Sequence, residues 1–278
     1  MTNPYRFRAS APLTTEWENF RFTVDDGVAT VTLNRPEKLN PLTFESYADL
    51  RDLLTELPHH TDVRVLVVRG EGKGFCGGGD VNEIIGELIR MDAADLMRFT
   101  KMTGDVIRAM RECPVPIISV IQGIAAGAGA VLALASDFRI MGPKGRFAFL
   151  FTKVGLSGGD MGAAYLLPRV VGAGRATELL LLGDTIDAET ADKYGLVSRL
   201  VVEEELDQVT AELARRLADG PTLALAQTKS LITRELDMPL STAMELDAMT
   251  QALLMTTHDH AEFHAAFNER RAPKWEGR

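Results

Sequence analysis

The spacing of apolar and polar residues changes several times along this chain, and each change marks an element. Phe20-Arg-Phe-Thr-Val24 alternates with period two, Asp25-Asp-Gly27 supplies a turn, and Val28-Ala-Thr-Val-Thr-Leu33 alternates again. That pattern predicts a β-hairpin. Asn34 to Leu42 holds two prolines and reads as a loop. Phe44, Tyr47, Leu50, Leu54 and Leu57 then recur at helical spacing, with Thr43 placed to cap the helix N-terminus. Val65-Leu-Val-Val68 is a continuous apolar run, as a parallel strand covered on both faces requires. A glycine-rich loop from Gly70 to Gly79 leads into helical segments that reach about Arg111. Pro116-Ile-Ile-Ser-Val-Ile121 is a second buried strand, followed by a Gly/Ala-rich stretch that enters a helix. Asp137 to Met141 and Arg146 to Leu150 read as further strands.

Strands alternating with helices as far as Val202 imply an α/β chain with crossover connections. From Glu203 the pattern is helical only, over 203–218, 222–235, 240–256 and 258–271, with breaks at Gly220-Pro221 and Met238-Pro239. The chain therefore divides into a flexible arm over 1–16, an α/β core over 17–202 and a helical part over 203–278. Phe263 and Phe267 make an apolar stripe one turn apart, and such a stripe on a helical tail suits a neighbouring subunit.

A length of 278 residues suffices for one large core. The net charge of −9, from 30 basic and 39 acidic residues, argues against a general nucleic-acid binder. A polyanionic ligand would need a local basic patch, and the loop with Arg35 and Lys38 is the candidate. No apolar run is long enough to span a bilayer, and Met1 to Trp17 lacks the features of a secretory signal. Two cysteines, Cys76 and Cys113, make no disulfide framework, so a reducing cytoplasm is expected. His260 and His264 stand one helical turn apart, a spacing that can hold a metal. The neighbouring Asp259 and Glu262 give that face the look of a solvated helix, and no metal is expected. No histidine lies between residues 61 and 257, which argues against a nucleophilic triad in the middle of the chain.

Two loops carry the candidate chemistry. Gly70-Glu-Gly-Lys-Gly-Phe-Cys-Gly-Gly-Gly-Asp80 and Gln122-Gly-Ile-Ala-Ala-Gly-Ala-Gly-Ala130 each follow a buried strand and enter a helix. Small residues let backbone N–H groups approach a ligand atom, and a helix N-terminus adds positive potential. Two such loops can converge two donors on one oxygen, the geometry of an oxyanion hole. Neither ends in the Gly-Lys-Ser/Thr of a Walker A loop. Glycine-rich strand-to-helix turns also serve packing alone, so the loops by themselves leave both readings open.

Four blocks in order resemble the crotonase (enoyl-CoA hydratase/isomerase) family. They are Val31-Thr-Leu-Asn-Arg-Pro-Glu-Lys-Leu-Asn-Pro-Leu42; Gly74-Phe-Cys-Gly-Gly-Gly-Asp-Val81; Pro114-Val-Pro-Ile-Ile-Ser-Val-Ile-Gln-Gly-Ile-Ala-Ala-Gly-Ala-Gly-Ala130 with Ala135-Ser-Asp137; and Leu182-Gly-Asp-Thr-Ile-Asp-Ala-Glu-Thr-Ala191 with Gly195-Leu-Val-Ser198. The likeness runs from about Phe20 to Trp275. It implies a spiral of β-β-α turns whose C-terminal helices support trimers or dimers of trimers. It also implies an acyl-CoA substrate, with no cofactor beyond the CoA moiety. Gly79 and Ala128 would donate the two N–H groups, and CoA would lie near Lys38, Leu39 and the backbone of Phe75, Cys76 and Gly77.

The departures are informative. Family hydratases set two glutamates around a water, and the matching positions here hold Val131 and Phe151, which can neither move a proton nor hold a water. Asp160 matches an aspartate that is catalytic in the family's dienoyl-CoA isomerases and 4-chlorobenzoyl-CoA dehalogenase; an aspartate at a helix start also serves as a cap. Glu83 is a weaker candidate, Asp80 suits a role in shaping its loop, and Cys76 suits packing. Isomerase or lyase chemistry fits these residues better than hydration. The alternatives are a non-catalytic acyl-CoA-binding paralogue and an aryl-CoA hydrolase or dehalogenase with Asp160 as nucleophile.

Overall fold

In the middle of the sheet the side chains alternate between two apolar layers. Leu66, Val68, Ile117 and Ile121 enter the main core, while Val65, Val67, Ile118 and Val120 enter a second core on the opposite face. A parallel sheet buried on both sides needs such continuous apolar runs. The computed structural model describes residues 14, 16–60 and 62–278; the arm expected over 1–16 lies almost wholly outside them.

Strands β1 (Arg21–Asp25) and β2 (Val28–Leu33) form the expected hairpin, with Val24 opposite Ala29. Next come β3 (Val65–Gly70), β4 (Ile117–Ile121) and β5 (Ile124–Ala126). The last strands are β6 (Phe138–Met141), β7 (Arg146–Ala148), β8 (Thr185–Asp187) and β9 (Arg199–Leu200). The large sheet runs β1-β2-β3-β4-β6-β9, parallel throughout except for the first pair, and a small sheet runs β5-β7-β8. Single bridges, Leu42 to Gly79 and Cys76 to Ala125, extend the small sheet back through the earlier turns. Each turn of the chain thus gives one segment to the large sheet, one to the small sheet, and then a helix. This is the β-β-α spiral.

The helices are α1 (Phe44–Glu56), a π turn Val81–Ile85 continuing as α2 (Gly86–Leu88), α3 (Ala93–Glu112), α4 (Ala128–Ala135), α5 (Ala163–Leu182) and α6 (Ala188–Lys193). Thr43 caps α1 by accepting the Ser46 N–H, as its place in the sequence predicts. All residues of α4 are buried, which fits a helix apolar on every side. The C-terminal part contains α7 (Leu206–Ala218), α8 (Thr222–Glu235), α9 (Leu240–Leu254) and α10 (His258–Glu269). Helix α7 lays Leu206, Leu213, Ala214 and Ala218 on the outer face of the large sheet. Helix α8 is stapled by the buried Lys229 ammonium, which reaches the Val115 carbonyl at 2.9 Å and Asp137 at 2.8 Å.

Two expectations need correction. The strand expected over Arg146 to Leu150 stops at Ala148, and Leu150–Val154 is a 3₁₀ helix. The Gly/Ala-rich stretch after β4, expected as loop, contains β5. A strand of three residues is too short to show an alternating pattern.

Candidate active site

The first glycine-rich loop and the start of α4 lie against one another because the small sheet runs through both. Gly77 N–H donates to Leu39 O (2.7 Å), Leu42 N–H to Gly78 O (2.7 Å) and Asp80 N–H to Leu42 O (2.8 Å) on one side of the loop. On the other side, Cys76 N–H donates to Ile124 O (3.0 Å) and Ala126 N–H to Cys76 O (2.9 Å). Gly78 can approach this neighbour only in the left-handed region, at φ 98°, and a Cβ there would stand 3.7 Å from the Ala128 nitrogen. This ladder leaves the N–H groups of Gly79 and Ala128 without a protein acceptor among the described residues. Ala128 is the first residue of α4, where an N–H has no intrahelical partner. Donors held in this way suit an oxygen that gains negative charge, and the helix end adds positive potential.

Asp160 is half-buried in a 3₁₀ turn, Asp160–Gly162, that precedes α5. Its Oδ1 accepts the Met161 N–H at 2.9 Å. The N-cap of α5 is Gly162, with no side-chain hydrogen bond, so the aspartate does not cap that helix. Burial raises the Asp160 pKa, against the opposing effect of the Met161 N–H. Met161 itself is buried with φ 51°, a conformation that a long side chain adopts only where its surroundings enforce it. Val131 on α4 and Phe151 in the 3₁₀ helix after β7 are both buried in the main core, which Met161 and Tyr47 share.

Tyr47 went unmarked in the sequence, where it reads as one of the apolar positions of α1. Its hydroxyl ends 3.7 Å from where a Cβ of Gly79 would stand, and burial above all raises its pKa. The run Gly155-Leu-Ser-Gly-Gly159 has the spacing of a nucleophile elbow. Yet it follows a 3₁₀ helix instead of a strand, and the Ser157 hydroxyl oxygen accepts the Gly159 N–H.

The basic loop is less available than its sequence suggests. Arg35 pairs with Asp80 at 3.0 Å and Glu83 at 2.7 Å, and Lys38 approaches the same two carboxylates at 3.6 and 3.9 Å. The expected cationic patch is therefore locally balanced, and Glu83 is tied to Arg35. Asp80 also accepts the Asn82 and Glu83 N–H groups, so it shapes its loop as expected. Burial raises its pKa, but these N–H groups and the two cations outweigh burial and lower it overall. Leu39 is exposed beside Lys38, in the left-handed region at φ 65°. Phe75 and Cys76 are fully buried, and the N–H groups of Phe75, Cys76 and Gly77 are all engaged within the protein. Burial pushes the Cys76 thiol up to about 12, which makes it a packing residue and no nucleophile. Among the described residues no group of three or more His, Cys, Asp or Glu side chains could hold a metal, and no helix is long and apolar enough to cross a membrane.

Comparison with known proteins adds to this geometry. The enoyl-CoA hydratase/isomerase family model matches residues 23–278. A 1,2-epoxyphenylacetyl-CoA isomerase of Escherichia coli is 37% identical over 92% of this chain and 97% of its own length. An (E)-benzylidenesuccinyl-CoA hydratase of Thauera aromatica is 36% identical over 91% of this chain and 97% of its own. A crystal structure from Streptomyces coelicolor A3(2), provisionally described as an enoyl-CoA hydratase, is 65% identical with a TM-score of 0.95, covering 99% of this chain and 100% of that one.

Proposed function

The chain belongs to the enoyl-CoA hydratase/isomerase family, and on that premise we propose that it moves a proton within an acyl-CoA thioester, with Asp160 as the acid/base. One observation carries the reading: the N–H groups of Gly79 and Ala128 are unengaged among the described residues, and the family resemblance would add Asp160 to their site and set Val131 and Phe151 where a hydratase has carboxylates.

In this reading the thioester oxygen sits between Gly79 and Ala128. When Asp160 takes a proton from a carbon conjugated with the thioester, the electron pair moves onto that oxygen. Each preorganised donor then stabilises the charge by ~3 kcal/mol. Returning the same proton to another carbon completes a double-bond shift with no change in composition. The raised pKa of Asp160 brings its proton affinity nearer to what a general base needs. Hydration is disfavoured, because neither Val131 nor Phe151 can hold or activate water. The apolar side chain of Phe151 and the aryl groups in two relatives' names support an aromatic or cyclic acyl group. The helical part over 203–278 would then pack between subunits through faces such as Phe263 and Phe267, both exposed in the single chain.

The test compares wild type with Asp160→Asn on crotonyl-CoA, a 3-enoyl-CoA and an aryl enoyl-CoA. A loss of ~10²-fold or more on the preferred substrate is expected. Robust crotonyl-CoA hydration that survives the substitution would overturn the assignment. A second reading, a non-catalytic acyl-CoA-binding paralogue, is favoured by Val131 and Phe151 and would show as thioester binding with no turnover. A covalent ester on Asp160 in quenched protein would move that residue from base to nucleophile.

A further inference from the structure

Tyr47 packs its ring edge-on to Phe99, with centroids 5.9 Å apart, and the whole residue is 3% exposed. Packing alone would be served as well by phenylalanine. The hydroxyl is therefore an addition that the core does not require. It lies beside Gly79, one of the two backbone donors, in the main core that also takes in Met161, the residue after Asp160. Among the described residues the hydroxyl makes no hydrogen bond, yet it is not sealed in the core as the oxygens without a hydrogen bond on Asp80, Gln122 and Glu235 are, so it reaches open space. Burial first, and the neighbouring Cys76 and Asp160 second, push its pKa well above 10, so it is a neutral O–H donor in search of an acceptor.

We propose that the Tyr47 hydroxyl is a third donor of the site, aimed at an oxygen carried by the acyl group at or beside the carbon that Asp160 serves. The enzyme would thereby select acyl-CoA thioesters that bear a hydroxyl, keto or epoxide oxygen at that place. This inference rests on the acyl-CoA reading above. The thioester oxygen is the poorer partner for Tyr47, since Gly79 and Ala128 already supply a donor for each of its lone pairs. An acyl group without such an oxygen would leave the phenol unpaired against carbon, a condition that a site built around a buried donor discriminates against.

Tyr47→Phe removes a single oxygen atom and keeps the ring against Phe99. The experiment measures calorimetric Kd values for two matched pairs, butyryl-CoA with 3-hydroxybutyryl-CoA and phenylacetyl-CoA with 2-hydroxy-2-phenylacetyl-CoA. In the wild type at least one hydroxylated member should bind about tenfold tighter than its partner, and Tyr47→Phe should erase that difference by weakening the hydroxylated member, with the unhydroxylated one binding as well or tighter. A wild type without the preference, a preference that survives in Tyr47→Phe, or an equal loss for both members of a pair overturns the proposal. Wild-type protein that binds none of the four thioesters overturns the acyl-CoA reading itself, and this inference with it.

Discussion

Gly129→Ala tests whether the convergence of the two loops depends on close backbone packing. A Cβ at position 129 would stand 2.2 Å from the Cys76 carbonyl oxygen, 2.6 Å from its Cβ and 2.9 Å from its carbonyl carbon. An ordinary C···O contact is about 3.3 Å, so helix and loop must separate by about 1 Å. The Cys76 oxygen also accepts the Ala126 N–H at 2.9 Å, and that bond must lengthen with the shift. Overpacking costs about 1–3 kcal/mol and the weakened hydrogen bond about 1 more, a total of about 2–4 kcal/mol. For a chain of this size that lowers Tm by roughly 5–15 °C. Ala128 is the adjacent residue and Gly79 belongs to the displaced loop, so the two proposed donors move apart, and a misplacement of about 1 Å costs ~10²-fold in turnover. The assay pairs a thermal melt with kcat/KM measured well below the melt. Gly174→Ala is the control, since nothing lies within 4 Å of a Cβ there and the position is in α5. It should be neutral or stabilising by up to about 1 kcal/mol. If Gly129→Ala melted with the wild type and turned over at its rate, the packing argument would fail.

Three further outcomes follow from the same structure. Burial holds the Asp160 pKa above 3.8, so the folded protein binds that proton more tightly than the unfolded chain, and stability falls as pH rises from the ordinary carboxylate value through the raised one. Asp160→Asn should therefore gain Tm over wild type above that window and not below it, and the acid limb of kcat/KM should lie above the ordinary carboxylate range; equal pH dependence of wild type and variant would refute this. Lys229→Met leaves Asp137 with Arg111 at 3.4 Å and the Ile117 N–H at 2.8 Å but removes a buried ion pair. Urea titration should show a loss of about 3–5 kcal/mol with kcat intact, and a loss within the range of a surface ion pair would refute it. Light scattering should find three or six copies per particle, and a stable monomer at micromolar concentration would reject the proposed role of the helical part.

The elements most legible in the sequence are those with enough length to show a period. The hairpin turn at Asp25 and the alternation around it place β1 and β2 almost to the residue, and Thr43 marks the start of α1 through a capping bond that sequence chemistry anticipates. The small sheet was hidden because its strands are three residues long and its earliest rungs are single bridges at Leu42 and Cys76. Such a sheet is specified by where the large one leaves the chain, not by a local pattern. The carboxylate partners of Arg35 and Lys38 were hidden for a related reason. Residues 35 and 38 read as a free basic patch until the fold brings Asp80 and Glu83 across from a loop more than forty positions away. Tyr47 shows the limit most plainly, since period assigns it to the core and only the tertiary structure shows where its oxygen ends.

On the proposed reading, Val131 and Phe151 do more than take the places of two carboxylates. Helix α4 is buried along its whole length, so a charged side chain at 131 would need a partner or a water inside the core. Valine removes that demand, and Phe151, in the 3₁₀ helix after β7, adds another apolar side chain to the same core. On the proposed reading the site would then be drier, with a lower effective dielectric. Dryness strengthens the interaction of the Gly79 and Ala128 N–H groups with any charge that develops between them. It also disfavours the ionised form of the remaining carboxylate, which is the direction in which Asp160 is shifted. On the proposed reading, the residues that would withhold hydration chemistry and the burial that raises the Asp160 pKa act in the same direction, toward the proton affinity that carbon deprotonation requires. If the proposed assignment holds, such a site would relocate a proton better than it would add water.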